Sequence, residues 1–271
     1  MKWALMLTSS ILQAQVRVEV DAAQKKAPVS RLLFGKFTVH LGNNVYQGAW
    51  AQIVKNPEFV PASRWPDREN QRSVEDALDR ASRLLQLPAL KQDARNGVAA
   101  FWSASGDIAG SLHQEGITDY QRLQVGAEGG YVLTGIFPPL HRTEGYQLRL
   151  KARALRPCRV EVSVLTRNRG KVGESSLMVT GNWTSQELVM HIDDPGHQPG
   201  SPYLLKLQPD PGSTVDLARI LLFPDDHIDG WEPEVVEMVR EAKLPLLRYP
   251  GGNFASGYHW KDGVGPLDGR P

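Results

Sequence analysis

Tyr146-Gln147-Leu148-Arg149-Leu150-Lys151-Ala152 places an apolar side chain at every second position, and Val160-Glu161-Val162-Ser163-Val164-Leu165 repeats the rule soon after. Successive side chains of a strand point to opposite faces, so each run predicts a strand with one face in a core. Similar short alternations recur at 120–125, 131–136, 187–192, 203–207 and 215–223. Turn signals separate them: Glu128-Gly129-Gly130, Asn168-Arg169-Gly170 and Pro211-Gly212-Ser213. Strands this short and closely spaced predict a β-sandwich of jelly-roll form over 94–224.

The flanks follow different rules. Val16, Val18 and Val20 alternate with charged residues and predict a strand, while 32–39 is more continuously apolar and predicts a strand buried on both faces. A short helix is expected from Tyr46 to Val54, ahead of Pro57. Residues 61–71 read as a loop. Ser73-Val74-Glu75-Asp76 then opens a helix with Val74, Leu78, Ala81 and Leu85 on one stripe, a packing element that Pro88 ends. Beyond the sandwich, Gly230-Trp231-Glu232-Pro233 starts another helix, with Val235, Val236, Met238 and Val239 on its apolar side. A short buried strand over 244–249 follows. Helix then buried strand is an α/β unit, and its natural partner is the strand at 32–39. The sandwich therefore reads as an insertion: 16–60 and 225–271 form one α/β part, 61–93 a linker and helix, and 94–224 the inserted domain.

Composition narrows the function. Lys+Arg 31 against Asp+Glu 30 leaves +1, so no long-range field selects nucleic acid or an anionic membrane. No apolar run is long enough to span a bilayer. A single cysteine, Cys158, excludes an internal disulfide framework and multi-cysteine zinc sites. Met1-Lys2, the apolar stretch to Leu12 and Ala14 spell a minimal secretory leader over 1–15, a frayed apolar N-terminus being the other reading. With a leader the product is secreted or periplasmic; without one it is cytoplasmic.

The segment densest in chemistry starts at Arg248, where the last strand ends: Arg248-Tyr249-Pro250-Gly251-Gly252-Asn253-Phe254-Ala255-Ser256-Gly257-Tyr258-His259-Trp260. In a (β/α)₈ barrel the loops at the carboxyl ends of strands build the active face. Arg248 offers fixed donors, Gly251-Gly252 lets backbone approach a ligand, and Asn253 both donates and accepts. Tyr258 and Trp260 suit the wall of a sugar pocket. The residues alone leave open a second reading, a tight turn with Arg248 in a buried ion pair. Elsewhere bland readings prevail. Trp183 is expected in the sandwich core, and Trp102, Tyr120 and Tyr131 are expected to pack a sheet rather than line a sugar groove. Asp216 is one acid and makes no calcium site. His191, Asp193, Asp194 and His197 read as a solvated loop around Pro195-Gly196. Asn182-Trp183-Thr184 is a glycosylation sequon where host and compartment permit.

The string from Arg248 to Pro271 resembles the corresponding stretch of α-L-arabinofuranosidases of glycoside hydrolase family 51. Leu33-Phe34-Gly35-Lys36-Phe37, His40-Leu41-Gly42, Tyr46-Gln47-Gly48-Ala49-Trp50 and Asn56-Pro57-Glu58-Phe59 are similar to that family's first barrel strand and helix. The sandwich resembles a CenC-type carbohydrate-binding module at Gly181-Asn182-Trp183 and in the run from Val215 to Pro224. The resemblance implies a (β/α)₈ barrel, incomplete in this chain, carrying an inserted module. It implies retaining hydrolysis of terminal α-L-arabinofuranosyl groups by two carboxyls roughly 5–5.5 Å apart, without a cofactor. Arg248 and Asn253 match sugar-contacting residues, and His40, Tyr258 and Trp260 fall at the pocket wall.

Two positions depart from the family: Val39 stands where it has a Glu, and Asn43 where it has an Arg. The acid/base Glu of the family follows an Asn, and this sequence contains no Asn-Glu pair. The catalytic pair is thus expected outside these residues. On this reading the chain is the front part of a longer enzyme, inactive alone, whose partner is an arabinose-containing polysaccharide or oligosaccharide. It involves no nucleic acid and no membrane, and the full-length form could be a homo-oligomer. A non-catalytic carbohydrate-binding protein is the alternative, and an unrelated barrel enzyme with a jelly-roll insert is a third.

Overall fold

The computed structural model describes residues 27–38, 45, 48–64 and 74–265, without the side chains of Phe37, Asn253, Phe254 and Asp262. The expected leader, the strand at 16–20, Val39, His40, Asn43 and the cap residue Ser73 lie outside the described residues.

Alternation builds most of the molecule. Eight antiparallel strands follow one another: β2 Trp102–Glu115, β3 Thr118–Ile136, β4 Gly145–Ala154, β5 Cys158–Thr166, β6 Lys171–Val179, β7 Thr184–His191, β8 Tyr203–Pro209 and β9 Thr214–Pro224. Their spatial order is β6-β5-β8-β3-β9-β4-β7, with β2 also on β3. The sheet folds into two layers because β3 serves both. Residues 121–124 of β3 pair with β9, whereas 132–136 pair with β8. The end strands nearly close the sheet, since Gln186 Nε2 of β7 donates to Met178 O of β6 at 2.7 Å. Val160, Val162 and Val164, Leu205 and Leu207, Leu148 and Leu150, and Leu217, Ile220 and Leu222 fill the space between the layers.

The expected turn at Glu128-Gly129-Gly130 is instead a bend inside β3, and 120–125 and 131–136 belong to one strand. Gly106 of β2 faces it with φ +87°, where an added Cβ would lie 2.8 Å from Gly129 O. Only glycine tolerates both that backbone and that approach, so the hairpin β2–β3 can curve from one layer into the other.

Helices α1 Val74–Leu85 and α2 Leu90–Arg95 lie on the outside of the layer containing β5 and β8. Leu78, Leu85, Leu87 and Leu90 pack on Phe101, Leu133, Leu165 and Leu204. The α1 stripe is as read, Leu78 and Leu85 being buried and Val74 and Ala81 half-buried.

No helix forms over 48–54. This stretch runs extended beside β9 beyond the point where β3 begins. Ile53 N donates to Leu222 O (3.0 Å), and Ile220 N donates to Pro57 O (2.8 Å). Val54 and Phe59 enter the inter-layer core, with the Phe59 ring 5.0 Å from that of Trp102. Asn56, φ +55°, ties the segment down: its amide donates to Val60 O and Ala100 O, and its oxygen accepts from Val60 N. The sheet backbone that β3 leaves unpaired is what recruits this stretch and overrides a helix.

The α/β part is smaller than expected. β1 Lys36–Phe37 and β10 Leu247–Arg248 form a parallel pair, Lys36 opposite Leu247. The strand read over 32–39 shrinks to β1, preceded by a 3₁₀ turn Arg31–Phe34 that Ser30 caps through Leu32 N. Leu32, Leu33 and Phe34 are exposed, as are Leu246 and Leu247. Neither strand is buried on both faces, because the pair has no other strand beside it among the described residues. α3 Pro233–Glu241 starts at Pro233 as read, although its Met238 is exposed.

Candidate functional site

The two parallel strands end on the same side. Thr38 N donates to Arg248 O (2.9 Å), and Gly251 N donates back to Thr38 O (2.9 Å). The turn leaving β10 is thereby held against the end of β1, one residue before Val39. Gly252 has φ +60°, a backbone that glycine adopts without strain, and opens the 3₁₀ turn Gly252–Gly257 that carries Asn253.

Arg248 is exposed at the end of β10. Beside it Tyr249 meets Tyr258 edge to face, centroids 6.0 Å apart. Burial pushes the Tyr249 hydroxyl above its ordinary range, and the neighbouring Tyr258 adds to the shift. The Tyr249 phenol therefore stays neutral at physiological pH, and the two rings together present an apolar edge with hydrogen-bonding tips. The structure thus brings Arg248, Tyr249, Gly251 and Tyr258 together at the end of β1. Trp260, expected on the same wall, is exposed, with the Lys261 ammonium 5.8 Å from its ring.

Behind this site the sheet domain grips the α/β part. Arg142, in the loop between β3 and β4 and only 14% exposed, donates to Glu232 at the N-terminus of α3 and pairs with Asp226 at 3.0 Å. Trp50 bridges Trp231, Ala51 N donates to Gly230 O (2.9 Å) and Glu232 N donates to Ala49 O (2.9 Å). The sequence shows Trp50, Trp231 and Glu232 in motifs but not that they meet, and Arg142 and Asp226 carry no pattern of their own. Arg142 sits in the unpatterned loop 137–144, and only its partners' acidity at a helix start gave a signal.

Among the other candidates, Trp183 departs from expectation. Trp183 lies outside the core, half-buried on the outer face of β4 and β9, with Arg153 4.4 Å above its ring. Trp102 is a core residue whose indole donates to Asn56 O, Tyr120 lies on the outer face with Trp183, and Tyr131 faces Lys206 on the other layer. The three share no groove. Asp216 is buried between two arginines. Arg122 donates to both its oxygens (2.7 and 2.9 Å) and Arg153 donates at 2.9 Å. Burial alone would raise the Asp216 carboxyl, but the hydrogen bonds from Arg122 and Arg153 outweigh it and hold it below the usual range. His191 pairs with Glu144, while His197 and Asp194 both bind the Tyr203 hydroxyl, so these residues do not converge.

No protein-family model matches the chain. Over 48 residues, 18% of its length, the chain is 54% identical to the intracellular exo-α-(1→5)-L-arabinofuranosidase of Halalkalibacterium halodurans. Identity to intracellular exo-α-(1→5)-L-arabinofuranosidase 1 of Bacillus subtilis is 50% over 48 residues, and to α-L-arabinofuranosidase C of Emericella nidulans 56% over 43. These stretches amount to 10%, 10% and 8% of those proteins, so the chain matches about a tenth of each curated relative. Among solved structures, the arabinose-bound MgGH51 α-L-arabinofuranosidase aligns with 86% of this chain and 37% of its own, with a TM-score of 0.61 and 17% identity. The chain therefore shares its fold with part of that arabinofuranosidase, and a short stretch of closely similar sequence with others.

Proposed function

We propose that this chain forms the start of a retaining α-L-arabinofuranosidase, a (β/α)₈ barrel into which the sheet domain is inserted after the first strand. The observation that carries this reading is the parallel pair, whose carboxyl ends set Arg248 and Gly251 beside Thr38, the residue that precedes Val39 in sequence. Loops at that end of parallel strands form the active face of such barrels. The local identity to named arabinofuranosidases supports the substrate class.

Within the site, Arg248 and Asn253 hold hydroxyls of the arabinofuranosyl ring, and Tyr258 with Tyr249 borders it. His40 and Trp260 belong to the same wall. None of these groups protonates a leaving group or attacks an anomeric carbon. The acid/base and nucleophile of double displacement are carboxyls outside residues 1–271, and no cofactor takes part. Val39 in place of a carboxylate removes one hydroxyl acceptor, which favours the second reading, a non-catalytic carbohydrate-binding protein.

The test uses an aryl α-L-arabinofuranoside and arabinoxylan. The 271-residue chain releases neither aglycone nor arabinose. Where the coding DNA continues past the Pro271 codon, the longer product does, and Arg248→Ala lowers its kcat/KM by about a hundredfold. Turnover by the 271-residue chain that a single Glu→Gln change abolishes overturns the proposal.

A further inference from the structure

Helix α1 does not seal the sheet along its whole length. Leu78 and Leu85 enter the core, while Ala77, Ala81 and Leu84, three or four residues apart, flank them along one side of the helix. Beside that flank an open cavity of about 340 Å³ lies between α1, the end of β3 and the stretches around Lys55 and Phe101. Gly135 helps to form its floor. An added Cβ there would lie 2.5 Å from both methyl carbons of Leu85, so bare backbone is what lets α1 rest directly on β3. Phe101 and Phe137 supply aromatic walls. Phe101 is held at φ +67°, a backbone that bulky residues rarely adopt, and its carbonyl accepts from the Thr134 hydroxyl at 2.9 Å. Leu84 and Phe137 are 47% and 38% exposed, so the rim leaves apolar surface in water. Lys55 and Arg80 are the charged residues of the lining, and both are positive. The Lys55 ammonium sits 4.3 Å from the centre of the Phe101 ring, which keeps it at the aromatic wall.

We propose that this cavity is a binding site for a small aromatic carboxylate, its ring against Phe101 and Phe137 and its carboxylate towards Lys55 and Arg80. The lining decides between ligand classes. It contributes two positive charges and, among the described residues, no carboxylate, so an organic cation meets only repulsion. An uncharged apolar molecule would use the walls alone. A bare phosphate or sulfate would answer the charges and leave the apolar rim in water. A ring carrying one carboxylate matches both parts of the lining at once. The volume sets the scale, since ligand pockets run from about 300 to 1,000 Å³ and this one lies at the small end, which suits a monocyclic acid. The cavity shares no residue with the Arg248 site, and the inference does not rest on the arabinofuranosidase reading.

The purified 271-residue chain is titrated at neutral pH, followed by nuclear magnetic resonance, with 3-phenylpropanoate, its isosteric amide 3-phenylpropanamide and the cation 3-phenylpropylamine. The acid binds with a Kd of about 1 mM, in keeping with about eleven non-hydrogen atoms. The amide binds about tenfold more weakly and the amine more weakly still. Arg80→Gln and Lys55→Met each weaken the acid about threefold and leave the amide unchanged. Arg83→Gln, the same charge change on the same helix but outside the cavity, alters neither. Ala81→Leu fills the cavity and weakens acid and amide alike. Thermal melting of each variant reports folding; if Ala81→Leu melts early, Phe137→Ala, which removes a part-exposed wall, replaces it with the same expected loss. No binding of the acid up to about 10 mM, equal affinity for acid and amide, or unchanged acid affinity in the folded Arg80→Gln, Lys55→Met double variant overturns the proposal. So does a loss in Arg83→Gln as large as that in Arg80→Gln.

Discussion

Replacing Asp216 with Asn tests the electrostatic centre of the sheet domain. The wild-type carboxylate accepts three guanidinium hydrogen bonds at 2.7–2.9 Å while nearly buried. Asn keeps the shape, removes the charge and turns an NH₂ group towards a guanidinium. At least one charge-assisted bond is lost, worth about 1.5–3 kcal/mol, and two cations are left facing each other. Each arginine is a quarter to a third exposed, so water recovers part of that cost. The expected loss is about 2–3 kcal/mol in urea unfolding at pH 7, followed by circular dichroism. The pH dependence has a fixed sign. A carboxyl depressed in the folded state contributes stability that is complete above its unfolded value, 3.8 here, and is lost as pH falls through the folded value. The gap between parent and Asp216→Asn therefore holds from about pH 7 to about pH 5 and closes in acid. A loss under about 0.5 kcal/mol, or a gap that stays constant down to about pH 2, refutes the reasoning.

Phe59→Ala removes a fully buried ring packed on Trp102 and lowers the stability of the sheet domain by about 3–5 kcal/mol, measured by urea unfolding with tryptophan fluorescence; a loss below about 1 kcal/mol means that 51–60 is not part of that core. By the same argument a fragment 94–225 melts well below one spanning 48–226, since it lacks Val54, Phe59 and both helices; equal melting temperatures count against it. Arg142→Met leaves Glu232 and Asp226 facing each other and loosens α3 by about 2 kcal/mol, read as roughly thirtyfold faster amide exchange over α3 with the β5 and β8 amides unchanged.

Legibility followed the strength of the local pattern. Strands with one face in a core, such as β4, announce themselves because every second residue is large and apolar. β2 and β6 were not read as strands. Their sequences, Ser103-Ala104-Ser105-Gly106 and Gly173-Glu174-Ser175-Ser176, are small or polar, and pairing with β3 and β5 makes them strands. The Gly129-Gly130 bend inside β3 carries the same signal as a turn, since what distinguishes them is whether the neighbouring strand bends too. Over 48–54 the open edge of β9, a tertiary fact, overrode local preference. At the candidate site, Arg248, the glycines and Tyr258 were readable because they follow a strand end. The Asp216 cluster was not, because Arg122, Arg153 and Trp183 lie on three different segments and meet only through the register of β3, β9 and the β4–β7 edge.

The grip between the two parts bears on how the site works. The chain leaves β1 at Thr38 and returns to described positions at 48–51, where Trp50, Ala49 and Ala51 are fastened to Trp231, Glu232 and Gly230. From there it runs directly into the sheet, with Ile53 on Leu222 and Val54 and Phe59 in the core. On the far side Arg142 of the sheet domain fixes the start of α3, the helix that leads into β10 and Arg248. Both flanks of the site, residues 49–51 on the chain that follows β1 and the helix before β10, are thus anchored to the same rigid sheet. A pair of two-residue strands has too little backbone bonding to set such a geometry alone. The sheet domain supplies the missing rigidity and so helps to set the position of Arg248. Loosening Arg142 should therefore move Arg248 even though the two residues lie on different parts of the fold.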